Sequence, residues 1–127
     1  GDTEQLYVDF IDALKYVEPE TGRKALHTMM VRMEADSTAY RRFGLLGEKY
    51  LNEPNSPMRN EDFYIAVLEQ MLQSDRLQEW EKIRPADTKW LYRQEQGYIE
   101  SMKNITLKEL ADQRITEFTD SLKKYML

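Results

Sequence analysis

Apolar residues recur at every third or fourth position along almost the whole chain, and this spacing limits the fold more than any other feature. In the first segment Leu6, Phe10 and Leu14 fall on one face of a helix. No stretch shows the convincing alternation of apolar and polar residues that marks a half-buried β-strand. No repeat period persists along the chain, which argues against a solenoid. The sequence therefore predicts an all-α fold, a single irregular bundle of about five to seven helices.

Proline, glycine and capping residues set the first helix boundaries. Pro19 suits the first turn of a second helix, which we expect to end near Asp36, where Asp36-Ser37 offers a break or a new cap. A third helix is predicted from about Thr38 to Leu51. Gly44 and Gly47 lie near one face of it, where a packing notch for another helix is favoured over a ligand-contact surface.

The segment from residue 52 to residue 60 predicts an ordered loop, because Pro54 and Pro57 cannot continue a helix. Asn60 then suits the N-cap position of a fourth helix. The broad apolar face of that helix begins at Phe63 and Tyr64. We expect this helix to form the centre of the core.

The C-terminal part of the chain also predicts helices. Arg84-Pro85 is expected to kink or end one helix, and another is expected to resume at Asp87. The polar segment before Tyr98 predicts partial exposure or a break at Gly97. Thr106-Leu-Lys-Glu109 is a capping-box pattern before a last amphipathic helix. The apolar stripe of that helix comprises Leu107, Leu110, Ile115, Phe118, Leu122 and Tyr125.

Composition limits the class of protein. A chain of 127 residues can bury one core, so residues 1–127 are predicted to form a single domain. Its 18 Lys and Arg against 23 Asp and Glu give a net charge of -5, and because the basic residues are scattered we expect no nucleic-acid partner. No apolar run is long enough to span a bilayer. The lack of cysteine excludes thiol catalysis, thiolate zinc sites and disulfides within the chain.

No combination of residues in the sequence indicates catalysis. His27 is the only histidine, so the usual metal-binding and nucleophilic arrangements lack their second member. Glu61 and Asp62 are better explained as acidic residues at a helix start, and Glu79 and Glu81 as solvated side chains. There is no phosphate loop, calcium loop or nucleophile elbow. We therefore predict a protein with no enzymatic activity, cofactor or metal.

Four residues are candidates for a groove that receives a partner or ligand. Met29 and Met33 carry thioether side chains that repack easily, and Trp80 and Trp90 can stack on a ring or anchor an interface. Packing between helices is the simpler explanation for both pairs. Their exposure decides between the two interpretations.

Three sequence runs resemble a known family. They are Tyr7-Val-Asp-Phe-Ile-Asp-Ala-Leu14, Glu48-Lys-Tyr-Leu-Asn-Glu-Pro-Asn-Ser-Pro-Met-Arg-Asn-Glu-Asp-Phe-Tyr64 and Glu81-Lys-Ile-Arg-Pro85. Over residues 4–85 the chain resembles an uncharacterised helical domain of Bacteroidetes envelope proteins, one that commonly precedes a thioredoxin-like, redoxin-type domain. Residues 86–127 would then form a C-terminal helical extension.

This resemblance implies an exported protein of the periplasm or cell envelope, either free or lipid-anchored, that works near thiol-disulfide chemistry. It assigns no catalytic residue to this chain. We therefore predict a non-enzymatic helical accessory or interaction module, whose partner is an adjoining thioredoxin-like domain, another protein or a second copy of itself. The alternative prediction is a stand-alone domain that binds a small molecule or peptide in a groove near Met29, Met33, Trp80 or Trp90.

Overall fold

The computed structural model describes residues 2–102 and 107–126, and every regular element within these ranges is helical. The predicted all-α fold is therefore confirmed. The α-helices are α1 (Asp2–Leu14), α2 (Pro19–Met33), α3 (Ser37–Gly47), α4 (Glu61–Gln73), α5 (Ile83–Met102) and α6 (Leu107–Met126). A π-helix (Glu48–Asn52) continues from α3, and a 3₁₀-helix (Glu79–Lys82) precedes α5.

The chain divides into two compact units. They are the N-terminal unit (Gly1–Tyr92) and the C-terminal unit (Arg93–Leu127). The N-terminal unit contains α1 to α4 and the 3₁₀-helix, and the C-terminal unit contains α6. That residues 1–127 form one domain stays a prediction.

Local capping sets three helix starts as the sequence predicts. Pro19 is the first residue of α2, where its missing N–H has no helical acceptor to lose. Asp36 caps α3, because its Oδ1 accepts hydrogen bonds from the backbone N–H groups of Thr38 (2.9 Å) and Ala39 (3.2 Å). Asn60 caps α4, since its Oδ1 accepts from the N–H of Phe63 at 3.0 Å.

The third helix differs from its prediction in geometry. Regular α-helix ends at Gly47, and the chain then widens into the π-helix, where the Glu53 N–H donates to the Glu48 carbonyl at 3.1 Å. The helical path therefore reaches Asn52, one residue beyond the predicted end at Leu51. A π-turn keeps apolar side chains near one face, so the three- and four-residue spacing gives no sign of it.

The predicted helix end at Arg84-Pro85 and the predicted restart at Asp87 are wrong. Helix α5 begins at Ile83, so Pro85 lies in its first turn, where proline is tolerated. The helix also continues through Gly97 without the break that the sequence allowed, while Tyr98 is exposed, as the alternative prediction stated. Thr106 of the predicted capping box lies outside the described residues.

The core of the N-terminal unit is built around α4, as predicted. Six consecutive residues of α4, from Phe63 to Leu68, are buried, and α2 packs closely against them. A β-carbon added to Gly22 of α2 would lie 2.7 Å from Cζ of Phe63, so the two helices meet with no room between them. The residues with almost no exposed surface are Tyr7, Leu26, Met30, Tyr40, Leu51, Val67 and Leu68.

The two glycines of α3 lie at close helix contacts. A β-carbon on Gly47 would lie 3.3 Å from the Tyr7 hydroxyl and 3.5 Å from Val67, and one on Gly44 would lie 3.2 Å from Cε of Met71. The packing notch is therefore confirmed at Gly47, whereas Gly44 both contacts Met71 and lines a cavity. The small size of these residues lets α3 approach α1 and α4.

Helix α6 of the C-terminal unit is amphipathic. Four residues of its predicted stripe are exposed in the structure: Ile115, Phe118, Leu122 and Tyr125. Within this unit Arg114 donates a hydrogen bond to the Tyr98 hydroxyl at 2.5 Å and lies over its ring.

No helix in the described part of the chain combines the length and the apolar character that crossing a membrane requires.

Candidate binding cleft

The four residues predicted to form a groove lie in different places. Met29 and Met33 are half-buried on α2 and line an open depression of about 560 Å³ beside Phe10. Trp80 is 73% exposed and lines a separate cleft, whereas Trp90 is 61% exposed and lies in the lining of neither. Among the described residues, the structure thus keeps Trp80 as the candidate that combines exposure with a neighbouring cavity.

The cleft at Trp80 has a volume of about 370 Å³ and lies between α3 and the segment that leads into α5. One wall is formed by residues of α3 and the π-helix that share a face, namely Arg41, Gly44, Leu45 and Glu48. Tyr64 and Met71 of α4 also line it. The opposite wall is formed by Leu77, Trp80, Glu81, Arg84, Pro85 and Thr88.

One ion pair across the cleft joins Arg41 to Glu81. The guanidinium group donates from Nε to Oε2 at 2.8 Å and from Nη2 to Oε1 at 2.9 Å, a bidentate geometry that fixes both side chains. The Glu81 carboxylate also accepts from the Gln78 N–H at 2.9 Å. The hydrogen bonds from Arg41 and then from Gln78 lower the pKa of Glu81 to about 2.

The position of Glu81 corrects its sequence interpretation. Both acidic residues around Trp80 were expected on the solvated side of the helix, and Glu79 is indeed 96% exposed. The Glu81 side chain instead faces Arg41 across the cleft and is mostly buried. Because Arg41 lies 40 residues away in the sequence, local spacing contains no signal for this pair.

A second ion pair across the cleft joins Arg84 to Glu48. Nη2 of Arg84 lies 2.6 Å from Oε1 of Glu48. The Arg84 side chain is 78% exposed, whereas the Glu48 side chain is mostly buried. Arg84 therefore makes a single-point contact and keeps most of its donor groups turned to solvent.

Tyr64 brings a polar group to this end of the cleft. Its side chain lines the cleft although the residue is only 6% exposed. Burial, and next the negative charge of Glu48, raise the pKa of Tyr64, so the hydroxyl stays protonated at neutral pH. Among the described residues it has no hydrogen-bond partner.

The π-helix and the following loop hold Glu48 at the cleft. The loop is tied to the π-helix by the Ser56 hydroxyl, which donates to the Tyr50 carbonyl at 2.6 Å, and by the Asn60 N–H, which donates to the Leu51 carbonyl at 3.0 Å. On the other side, Glu4 of α1 accepts hydrogen bonds from Lys49 and from the Tyr50 hydroxyl, each at 2.6 Å. The proline-containing loop is therefore a structural support for the cleft and does not line it.

No described part of the chain presents a cluster of three or more His, Cys, Asp or Glu side chains that could hold a metal ion. His27 is exposed on α2. Glu61 and Asp62 lie in the first turn of α4 and pair with Arg59 at 3.0 Å and Arg23 at 2.5 Å. These contacts agree with the helix-terminal role expected from the sequence.

Comparisons with known proteins identify a similar protein and a family. The chain is similar to the crystal structure of a thioredoxin-like protein from Bacteroides caccae ATCC 43185, with a TM-score of 0.70 and 43% sequence identity. The similar region covers 72% of this chain and 33% of that chain, so this chain spans about a third of its relative. No curated protein matches significantly.

Residues 2–95 match a family described as a domain of unknown function, DUF5106. The matched range contains all three sequence runs that carry the resemblance, and also the whole cleft. The similarity to a thioredoxin-like protein of a Bacteroides species agrees with the association with a thioredoxin-like domain that the resemblance describes. The chain therefore belongs to the DUF5106 family.

Proposed function

We propose that this chain is a non-enzymatic helical accessory or interaction module that works with a thioredoxin-like domain. The observation that carries the proposal is the 43% identity to one third of a thioredoxin-like protein. We infer that the thioredoxin-like part of that protein lies in the remaining two thirds. Since this chain has no cysteine, thiol chemistry would belong entirely to the partner. The proposal includes an exported location, in the periplasm or cell envelope.

The mouth of the cleft is the surface that we assign to the partner. Trp80 and Leu45 are large apolar residues, both are exposed, and they line opposite walls of the same cleft. The ion pairs Arg41–Glu81 and Arg84–Glu48 flank them with charge. An apolar centre with a polar surround is the usual arrangement of an interface hot spot.

Deletion of the similar region from the Bacteroides caccae protein tests the accessory role. The rate at which the protein reduces a disulfide substrate would be measured with and without that third of the chain, together with the melting temperature of the remainder. We expect the deletion to change the rate or to lower the melting temperature. An unchanged rate and an unchanged melting temperature would refute the accessory role.

A second candidate function is the binding of a small molecule or peptide, and the cleft favours it. A volume of about 370 Å³ lies at the lower end of the range, roughly 300 to 1,000 Å³, that ligand sites occupy. The lining combines apolar side chains with the two ion pairs and the Tyr64 hydroxyl. Titration of the chain with small apolar compounds, followed by calorimetry, tests this function directly.

A further inference from the structure

One end of the cleft offers hydrogen-bond donors that make no hydrogen bond within the described part of the chain. Tyr64 lines the cavity, and its hydroxyl makes no hydrogen bond to the described residues. Arg84 uses Nη2 for Glu48, while its Nε and Nη1 atoms make no hydrogen bond to the described part of the chain. The Tyr64 hydroxyl and the Arg84 guanidinium therefore bring donor groups to one end of a cavity whose other lining includes apolar side chains, and the pair points to a ligand that accepts hydrogen bonds.

The remainder of the cleft suits a flat apolar group. Met71, Leu77 and Pro85 supply apolar surface, and all three are buried or half-buried. Trp80 adds an exposed indole on which an aromatic ring can stack. Burial of a ring here would also cover apolar surface that now faces water.

The two ion pairs limit the length of the ligand. Arg41 and Glu48 lie seven residues apart along α3 and the π-helix, which corresponds to about 10 Å of helix rise. Each is bound to a residue on the opposite wall, so an extended polypeptide that followed the cleft would have to pass both contacts. A compound with one ring and a short polar tail fits between them.

We propose that the cleft binds a small aromatic carboxylic acid, with its ring against Trp80 and its carboxylate at the Tyr64 hydroxyl and the free nitrogens of Arg84. This inference rests on the second candidate function, ligand binding, and not on the accessory role. The carboxylate would accept one neutral and one charge-assisted hydrogen bond, and the charge-assisted bond distinguishes an acid from a neutral amide. Glu48 competes with such a ligand for Arg84, because both are carboxylates.

The first experiment compares phenylpropanoate with phenylpropanamide, two compounds of the same shape and different charge. The whole chain would be titrated with each by calorimetry, and a Trp90→Phe variant would leave Trp80 as the single tryptophan for a fluorescence titration. We expect the acid to bind about tenfold more tightly than the amide and to change the Trp80 emission. Equal affinities would overturn the carboxylate assignment and leave ligand binding intact. No binding of either compound would overturn both.

The second experiment uses variants with opposite expected effects. Tyr64→Phe and Arg84→Gln should each weaken phenylpropanoate binding by about tenfold, because each removes one donor. Glu48→Gln should strengthen it severalfold, because it releases Arg84 and removes a negative charge. A gain of affinity cannot result from misfolding, so this variant separates recognition from stability.

Matched controls lie outside the cleft. Tyr16→Phe changes an exposed tyrosine, and Arg23→Gln removes a half-buried arginine that pairs with Asp62. Both should leave phenylpropanoate affinity unchanged. Unchanged affinity in Tyr64→Phe and Arg84→Gln as well would overturn the proposal. The proposal would also be overturned if the chain bound a peptide with a free C-terminal phenylalanine and did not bind phenylpropanoate. The site would then recognise the end of a polypeptide.

Discussion

At the scale of single residues, Gly22 shows how tightly α2 meets α4. An added β-carbon would lie 2.7 Å and 2.8 Å from two ring atoms of Phe63, which is itself buried. Alanine favours helix by about 1 kcal/mol over glycine, yet overpacking a filled contact costs about 1 to 3 kcal/mol. We predict that Gly22→Ala lowers the free energy of unfolding by about 1 kcal/mol or more, measured by urea denaturation.

Gly97 is the control for this substitution. It also lies within an α-helix, but an added β-carbon would meet nothing within 4 Å. Gly97→Ala should therefore raise the stability of its helix by about 0.5 to 1 kcal/mol. A Gly22→Ala protein that is as stable as Gly97→Ala would contradict the packing of Phe63 against α2.

The lowered pKa values of Glu4 and Glu81 determine how we expect stability to depend on pH. Hydrogen bonds from Arg41 lower the pKa of Glu81 to about 2, and those from Lys49 and Tyr50 do the same for Glu4, from an ordinary value of 4.5. A lowered pKa in the folded state means that the stabilisation is complete above pH 4.5 and is lost as the pH falls towards 2. The free energy of unfolding should decrease across this window in urea titrations.

Glu81→Gln tests the contribution of the cleft to this acid sensitivity. The variant should be less stable than the original chain at neutral pH, and the gap should narrow as the pH falls from 4.5 towards 2, because Glu81 is then protonated in the unfolded state before it is protonated in the folded state. Glu79→Gln is the control, because that side chain is 96% exposed, and it should leave the profile unchanged. Parallel profiles for Glu81→Gln and the original chain would show that the Arg41 contact does not form in solution.

At the scale of elements, the cap of α4 joins the loop to the core. The Asn60 side chain accepts a hydrogen bond from the Phe63 N–H at 3.0 Å, at the point where the buried face of α4 begins. We predict that Asn60→Ala costs about 1 kcal/mol of unfolding free energy. Asn55→Ala changes an exposed loop residue that caps no helix. Urea titrations should therefore find almost no change in its free energy of unfolding. Equal costs for the two variants would refute the cap.

The elements also show which features local sequence contains. The starts of α2, α3 and α4 were predictable, because Pro19, Asp36 and Asn60 act on backbone groups within three residues. The π-helix was not, since its apolar spacing is that of an α-helix. Pro85 was misread because proline ends a helix in its interior and is tolerated in its first turn. Residue type alone does not distinguish these positions.

At the scale of the whole molecule, the cleft depends on contacts that no short window of sequence contains. Arg41 and Glu81 are 40 residues apart, and Glu48 and Arg84 are 36 apart. Trp80 was a candidate from its chemistry, but its exposure became visible only when α3 and the start of α5 were placed beside each other. The fold also places Met29 and Met33 in a different depression from Trp80, and Trp90 in neither.

We propose that this chain acts by binding a thioredoxin-like partner at the mouth of the cleft, where Trp80 is 73% exposed. The most direct test is isothermal titration of the chain with the part of the Bacteroides caccae protein that lies outside the similar region. We predict saturable binding that Trp80→Ala weakens by about tenfold or more and that Trp90→Ala, a change outside the cleft, leaves unchanged. Absence of binding, or equal binding by the two variants, would contradict the claim.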